Sequence, residues 1–215
     1  MGRPITAAGL FVALLGPSLF AVIPGRLAPE PRSLPANLVI QALYCGLVPL
    51  ILWIVVRGER LPLESIGLRR PDRDTIVSAV LLWTAVFLLS WITQPLVEKA
   101  GRDGIERGVR ELLALPMWFR IVIGATGGVV EETLYRGYAV ERLGAITGSR
   151  WVGGAIAALV FGLAHVSSWG WGFALAADLP FGMVMTLFYL WRRDLVANIL
   201  VHSTGLVVSM AILRA

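Results

Sequence analysis

Long apolar runs separated by short charged segments fill the chain from end to end. A helix needs about 17–25 mostly apolar residues to cross about 30 Å of hydrocarbon. Backbone polar groups in lipid must be satisfied within their own helix or in a closed barrel, so runs of this length predict helices. Seven runs qualify, with spans predicted at about residues 5–24, 38–56, 75–97, 117–140, 150–168, 171–191 and 194–213.

The composition agrees with this pattern. Of the 215 residues, 57% are hydrophobic and 15% are charged, whereas a soluble domain has about 45–50% apolar and about 25% charged residues. The chain shows no internal repeat and no low-complexity linker. The sequence therefore predicts an all-α polytopic membrane protein, with about seven transmembrane helices that enclose a polar cavity. Residues 1–215 form one integral-membrane domain in this interpretation.

The charges lie mainly between the apolar runs. Lys99 is the only lysine among 19 basic residues, and arginines that flank apolar runs are typical of membrane-protein loops, so we expect membrane lipid and no nucleic acid as a partner. Alternate loops hold ten and eight basic residues, a bias strongest in 57–74, which favours a cytoplasmic N-terminus in a bacterial plasma membrane. The charged segment 98–116 is predicted to hold a short interfacial helix. The lone Cys45 excludes an intrachain disulfide.

Charged residues within the predicted span 117–140 need a separate explanation. In GGVVEETLYRGY, residues 127–138, they include Glu131, Glu132 and Arg136, and one charge at the centre of a spanning helix costs about 2.5–3.5 kcal/mol. Glu132 and Arg136 share a helix face and form an i,i+4 pair. Glu131 points about 100° away and lacks a cation one turn along. An unpaired intramembrane carboxylate indicates a functional site, the alternative being a frayed helix end at the lipid headgroups.

Both histidines of the chain also fall within predicted spans. A single buried histidine is more often a hydrogen-bonded core residue than a ligand. If the flanking arginines mark one membrane surface, however, Glu131, His165 and His202 lie within about 10 Å of the same depth. A carboxylate and two imidazoles suffice for hydrolysis: the carboxylate takes a proton from water, and the imidazoles bind a metal or stabilise the oxyanion. Before Glu131, Gly124 and Gly127 allow either close helix packing or room for a substrate.

Three motifs resemble those of one family. EETLYR (131–136) resembles the EExxxR motif of the CAAX-protease and bacteriocin-processing (CPBP) intramembrane endopeptidases, FGLAH (161–165) is similar to their FxxxH motif, and NILVHSTGL (198–206) holds the histidine of their last motif. The family-like catalytic core covers about residues 117–210. The resemblance implies an all-helical membrane fold with a conical cavity that opens toward the cytosol.

The resemblance also implies roles for individual residues. Glu131 activates the attacking water, while His165 and His202 stabilise the oxyanion or, if a metal is used, bind it. The expected cofactor is therefore either one divalent metal such as zinc or none. The supporting residues are Glu132, Arg136, Asn198 and Phe161.

One position departs from the family pattern. The last motif is HxxxN or HxxxD in the family, and position 206 here is leucine. Asn198 precedes His202 by one turn. We expect Asn198 to orient the His202 ring through a hydrogen bond, and the cavity wall at Leu206 to be apolar.

The sequence thus predicts an intramembrane endopeptidase that hydrolyses a peptide bond of a membrane-associated or prenyl/CAAX-like substrate. One alternative is a non-catalytic family member that acts as a bacteriocin-immunity protein or a membrane scaffold. Haem binding by His165 and His202 is a further alternative, but it leaves the adjacent glutamates unexplained. A proton-coupled transporter would be expected to show paired broken helices in two related halves, and the sequence has none. The oligomeric state stays open.

Overall fold

The computed structural model describes residues 3–27, 33–100 and 103–213, and throughout these ranges the regular elements are helical. Ten α-helices are described: α1 Arg3–Leu27, α2 Leu34–Gly58, α3 Arg73–Lys99, α4 Asp103–Leu113, α5 Met117–Glu131, α6 Glu141–Thr147, α7 Arg150–Ala164, α8 Val166–Phe173, α9 Leu179–Arg192 and α10 Leu195–Ile212. Three loop arginines counted for membrane orientation lie outside the described residues: Arg32, Arg102 and Arg214.

Three π-helical segments interrupt or join these helices. The first, Ile54–Gly58, ends α2 immediately before Glu59. The second, Glu132–Val140, joins α5 to α6, and the third, Ala174–Asp178, joins α8 to α9. π-Helical turns are rare and are frequent at functional sites. Each of these three segments adjoins a carboxylate inside the helical bundle: Glu59 follows the first, Glu132 begins the second, and Asp178 ends the third.

Within the described ranges, four helical stretches are long and apolar enough to cross a membrane: Leu34–Gly58, Arg73–Lys99, Val166–Arg192 and Leu195–Ile212. Pro4–Phe20 and Arg150–Ala164 are shorter apolar helices. The remaining predicted span, 117–140, corresponds to α5 and the following charged π-helical segment. The predicted interfacial helix in 98–116 corresponds to α4. The prediction of an all-α polytopic membrane protein is confirmed.

Capping side chains determine where several helices begin. At the start of α3, the Asp72 carboxylate accepts the Thr75 backbone N–H at 2.9 Å, and this bond holds the pKa of Asp72 below its usual range. Asp194 caps α10 by accepting the Ala197 N–H at 3.1 Å. It also accepts hydrogen bonds from Arg69 at 2.9 Å and from the Thr75 hydroxyl at 2.7 Å. One buried carboxylate therefore joins the 57–74 loop, α3 and α10.

Glycines bring the helices that carry the site into close contact. Gly124 of α5 faces the Leu206 backbone of α10, and a Cβ at Gly128 would lie 2.5 Å from the Ser203 nitrogen. On the other side of the bundle, Gly162 of α7 packs on Leu179. The small-residue pattern therefore serves helix packing, as small residues do between membrane helices. It fixes α5 against α10, and with them Glu131 against His202.

A buried polar network ties the end of α2 to the rest of the bundle. Glu59 Oε1 accepts hydrogen bonds from the Thr6 hydroxyl at 2.8 Å and from the Tyr138 hydroxyl at 2.9 Å. Glu59 Oε2 accepts one from Arg142 Nε at 2.7 Å, and Arg142 Nη2 also donates to Ser65 at 3.2 Å. The Glu59 and Arg142 side chains are both almost fully buried. Because both carboxylate oxygens and the guanidinium are paired, this network stabilises the fold.

Candidate active site

Glu132 is the buried centre of the site. Its Oε1 accepts a hydrogen bond from Arg136 Nη1 at 2.9 Å, in the i,i+4 pair that the sequence predicts, and both side chains are fully buried. The same oxygen accepts a second bond from His202 Nδ1 at 2.7 Å. Glu132 Oε2 accepts one from Asn198 Nδ2 at 3.2 Å. Glu132 therefore joins the π-helical segment to α10 and positions the His202 ring.

Asn198 acts differently from the sequence-based expectation. Its amide N–H groups donate to Glu132 and to the Met185 carbonyl, the latter at 2.9 Å. Within the described part of the chain, its Oδ1 has no hydrogen-bond partner. The expectation that Asn198 bonds the His202 ring directly is wrong. The carboxylate of Glu132 lies between them, and a carboxylate can accept from both groups at once.

Glu131 is incompletely paired, as the sequence indicates. Its Oε1 accepts a hydrogen bond from the Tyr44 hydroxyl of α2 at 3.1 Å. Its Oε2 is buried and has no hydrogen-bond partner among the residues that the structure describes. That oxygen lies 3.8 Å from His165 Nε2 and 3.9 Å from His202 Nε2. The three residues proposed from the sequence as catalytic are therefore together, at separations too long for direct hydrogen bonds.

Hydrogen-bond partners assign the tautomers of both imidazoles. His165 Nδ1 lies 2.8 Å from the Phe161 carbonyl oxygen, and a carbonyl only accepts, so Nδ1 carries the hydrogen. His202 Nδ1 carries a hydrogen for the same reason, because its partner is the Glu132 carboxylate. In the neutral rings both Nε2 atoms then present lone pairs to Glu131 Oε2. Three acceptor atoms converge on one small space, and a hydrogen-bond donor would complete it.

Aromatic rings enclose the two imidazoles. The Phe161 ring centroid is 4.6 Å from that of His165, and the Phe181 centroid is 4.8 Å from that of His202. The Arg136 guanidinium lies over the Phe161 ring, 4.2 Å from its centroid, which is a cation–π distance. Phe161 therefore links the ion pair of Glu132 to the His165 ring.

A cavity of about 1150 Å³ opens from these groups. Glu131, His165 and His202 lie in its wall, and Leu206 forms part of the apolar lining as expected. Its other lining side chains are largely aromatic or aliphatic, among them Phe20, Trp83, Val86, Phe87, Ile123 and Phe181. A mostly apolar cavity with a few convergent polar groups is the usual form of a ligand site.

Residues 113–206 match the profile of a family described as type II CAAX prenyl endopeptidase Rce1-like. Over this segment the chain is similar to that family. The match confirms the resemblance found in the three motifs, and it supports a hydrolase of the CAAX-endopeptidase class in a membrane. Among curated proteins and among solved structures, no significant match was found.

The cavity extends away from the N-terminal end of the bundle. It is lined by Pro17 and Phe20 near the middle of α1, by Leu112 of α4 and by the last turn of α10. The 57–74 loop, which carries the strongest positive bias, lies at the opposite ends of these helices. The cytoplasmic N-terminus and the opening of the cavity toward the cytosol both stay predictions.

The donor atoms have suitable chemistry for zinc, but their spacing is too wide. Two imidazole nitrogens and one carboxylate oxygen are common zinc ligands, and ligands around one tetrahedral zinc lie about 3.3–3.4 Å apart. Here Glu131 Oε2 is 3.8 and 3.9 Å from the two Nε2 atoms. The described residues contain no group of three potential ligands arranged to hold a metal ion. The side chains as positioned do not fit a metal, and we derive no step through one.

Sequence reasoning missed three residues of the site. Tyr44 lies 87 positions from Glu131, a distance across which no periodicity pairs them. Phe181 resembled any other apolar residue of its span. Asp178 also lines the cavity, and it did leave a signal, because it is the only charged residue in the predicted span 171–191.

Proposed function

We propose that this protein is an intramembrane endopeptidase in which Glu131 activates a water molecule for attack on a peptide bond. The observation that carries the proposal is the unpartnered Glu131 Oε2 facing two imidazole Nε2 atoms at 3.8 and 3.9 Å. A water at about 2.8 Å from two of these acceptors would donate a hydrogen to each. Its free lone pair would then be available for attack.

The proposed reaction follows from this arrangement. The water oxygen bonds to the carbonyl carbon while Glu131 takes one of its protons. An imidazole that accepts the other proton becomes a hydrogen-bond donor, and it stabilises the oxyanion of the tetrahedral intermediate. When the C–N bond breaks, the proton on Glu131 moves to the leaving nitrogen. The imidazolium then loses its proton to solvent, and the site returns to its starting state.

Glu132 and Tyr44 support this chemistry by positioning His202 and Glu131. Glu132 holds the His202 ring through Nδ1, which keeps Nε2 directed at the reacting space. The Tyr44 hydroxyl fixes Glu131 Oε1, which leaves Oε2 for the proposed water.

The substrate we propose is a lipid-modified, CAAX-like C-terminal peptide. The family description supports this class, and the cavity offers a wide apolar wall beside Glu131, which suits an acyl or prenyl chain. A lipid-modified peptide that enters from the membrane would bring its peptide bond to the polar groups of Glu131, His165 and His202 in that wall.

The test uses the full chain purified and reconstituted in phospholipid vesicles. Two peptides with the same CAAX-type sequence, one prenylated and one not, are incubated with it, and release of the C-terminal fragment is followed by mass spectrometry. We expect cleavage of the prenylated peptide, retained after dialysis against a strong chelator. If neither peptide is cleaved, the proposed function is wrong. If activity is lost on chelation and restored by zinc, the metal-free mechanism is wrong.

A further inference from the structure

Asp178 is a third carboxyl group in the cavity, and the reaction proposed above does not use it. It lies at the end of the π-helical segment Ala174–Asp178, immediately before α9. Its Oδ2 is buried and has no hydrogen-bond partner in the part of the chain that the structure describes. A partly buried carboxyl group whose inner oxygen has no partner is costly, so its presence in an otherwise apolar span calls for a functional explanation.

The neighbours of Asp178 place it beside the catalytic groups. Leu179, the next residue, packs against Gly162, three residues before His165. Phe181 lies one helical turn after Asp178, and its ring centroid is 4.8 Å from that of His202. Asp178 also interacts electrostatically with His165 and Glu131. The carboxyl group therefore faces the same part of the cavity as the reacting atoms.

The other carboxylates of this region are paired and Asp178 is not. Glu132 accepts hydrogen bonds from three side chains, and Glu131 accepts one from Tyr44. Resting on the function proposed above, we propose that Asp178 binds the substrate by accepting a hydrogen bond from a backbone N–H of the peptide next to the scissile bond. A peptide entering an apolar cavity loses the water bound to its amides, and Asp178 Oδ2 would replace it.

The direct test measures the cleavage kinetics of Asp178→Ala and Asp178→Asn in vesicles. For Asp178→Ala we expect KM to rise about 10–150-fold, the effect of losing one hydrogen bond to a charged group, with kcat nearly unchanged. Asp178→Asn should fall between it and wild type, because the amide keeps one carbonyl acceptor. The matched control is Asp74→Ala, since the Asp74 side chain is 75% exposed and lies outside the cavity lining.

Two further measurements separate substrate binding from a structural role. Thermal unfolding of Asp178→Ala should be unchanged or shifted upward, because the variant removes a buried unpaired carboxyl group. A set of peptides, each N-methylated at one amide that flanks the scissile bond, should include one that raises KM for wild type and leaves KM of Asp178→Ala unaffected. The amide that is methylated in that peptide would be the one that Asp178 binds.

The outcomes distinguish this inference from the proposed function. If Asp178→Ala keeps the wild-type KM, or if every N-methylated peptide affects both proteins equally, Asp178 does not bind the peptide and this inference is wrong. Cleavage that persists in Glu131→Gln would instead overturn the proposed function itself. A lower unfolding temperature of Asp178→Ala with unchanged KM would show that Asp178 is structural only.

Discussion

Glu59 and Glu131 are both carboxylates inside the helical bundle, but their surroundings differ. Glu59 accepts three hydrogen bonds, and both of its oxygens are paired. Glu131 accepts one, and its second oxygen faces a cavity and two imidazole lone pairs. Both oxygens of Glu59 are thus used for hydrogen bonds within the protein. Glu131 keeps capacity free for a water molecule or a substrate, at a cost in stability that the paired networks around it offset.

The comparison predicts that substitutions in the two regions have opposite effects. In the Glu59 region they should reduce stability and leave the cleavage rate of the folded protein unchanged. In the Glu131 region they should reduce the rate and leave stability nearly unchanged. The predictions below test this separation.

The largest expected loss of stability comes from Glu59→Gln. This substitution leaves the Arg142 guanidinium buried without its counter-charge, and breaking a buried ion pair costs about 3–5 kcal/mol. Thermal unfolding in detergent should therefore occur at a markedly lower temperature than in wild type. The rate per folded molecule should not change, because Glu59 lies outside the cavity lining. An unchanged unfolding temperature would contradict the structural role of this network.

Asp194→Asn should have a smaller effect that depends on pH. Burial by itself raises the pKa of Asp194, but hydrogen bonds from Arg69, Thr75 and the Ala197 backbone outweigh it, and the pKa lies below its usual range. The charge therefore stabilises the folded state above the unfolded pKa of about 3.9, and this contribution is lost as the pH falls through the lower folded pKa. We expect wild type to be more stable by about 1.5–3 kcal/mol at pH 7.

The measurement compares unfolding temperatures of wild type and Asp194→Asn from pH 7 down to pH 3. Their difference should stay constant down to about pH 5 and shrink below about pH 4. The capping carboxylate Asp72 is common to both proteins, so its titration cancels in the difference. A difference that grows on acidification would contradict the assigned role.

The smallest effect is expected for Tyr44→Phe. It removes one hydrogen bond to Glu131, worth about 0.5–1.5 kcal/mol, which corresponds to about 2–13-fold in the cleavage rate. The control is Tyr135→Phe, because the Tyr135 hydroxyl is buried without a hydrogen-bond partner, and its rate should equal that of wild type. If Tyr44→Phe lost all activity, Tyr44 would have a role in the chemistry itself.

The sequence predicted those parts of the site that depend on local geometry. Helical periodicity was enough for the Glu132–Arg136 pair, because residues four apart share a face. The depth of three polar groups in their spans correctly indicated that Glu131, His165 and His202 could meet. The membrane class followed from run length and composition. The boundary of the catalytic core at about 117–210 and the roles of the site residues stay predictions.

Contacts set by tertiary packing could not be predicted in this way. Glu132 lies between Asn198 and His202 because α10 packs closely on the glycines of α5, and helical spacing alone favoured a direct bond. Helical spacing could not pair Tyr44 with Glu131 either, because they lie on helices that are far apart in the sequence. The π-helical segments also direct side chains differently from a regular α-helix. A prediction based on a period of 3.6 residues does not include this change.

The most direct test of the central claim is the cleavage rate of Glu131→Gln in vesicles. The glutamine keeps the size of the side chain and its bond to Tyr44, but it cannot take a proton from water. We expect a rate at least about 100-fold below wild type, with a nearly unchanged unfolding temperature, while the control Glu64→Gln, at an exposed position, keeps full activity. A Glu131→Gln rate within a few-fold of wild type would contradict the claim that this carboxylate activates the water.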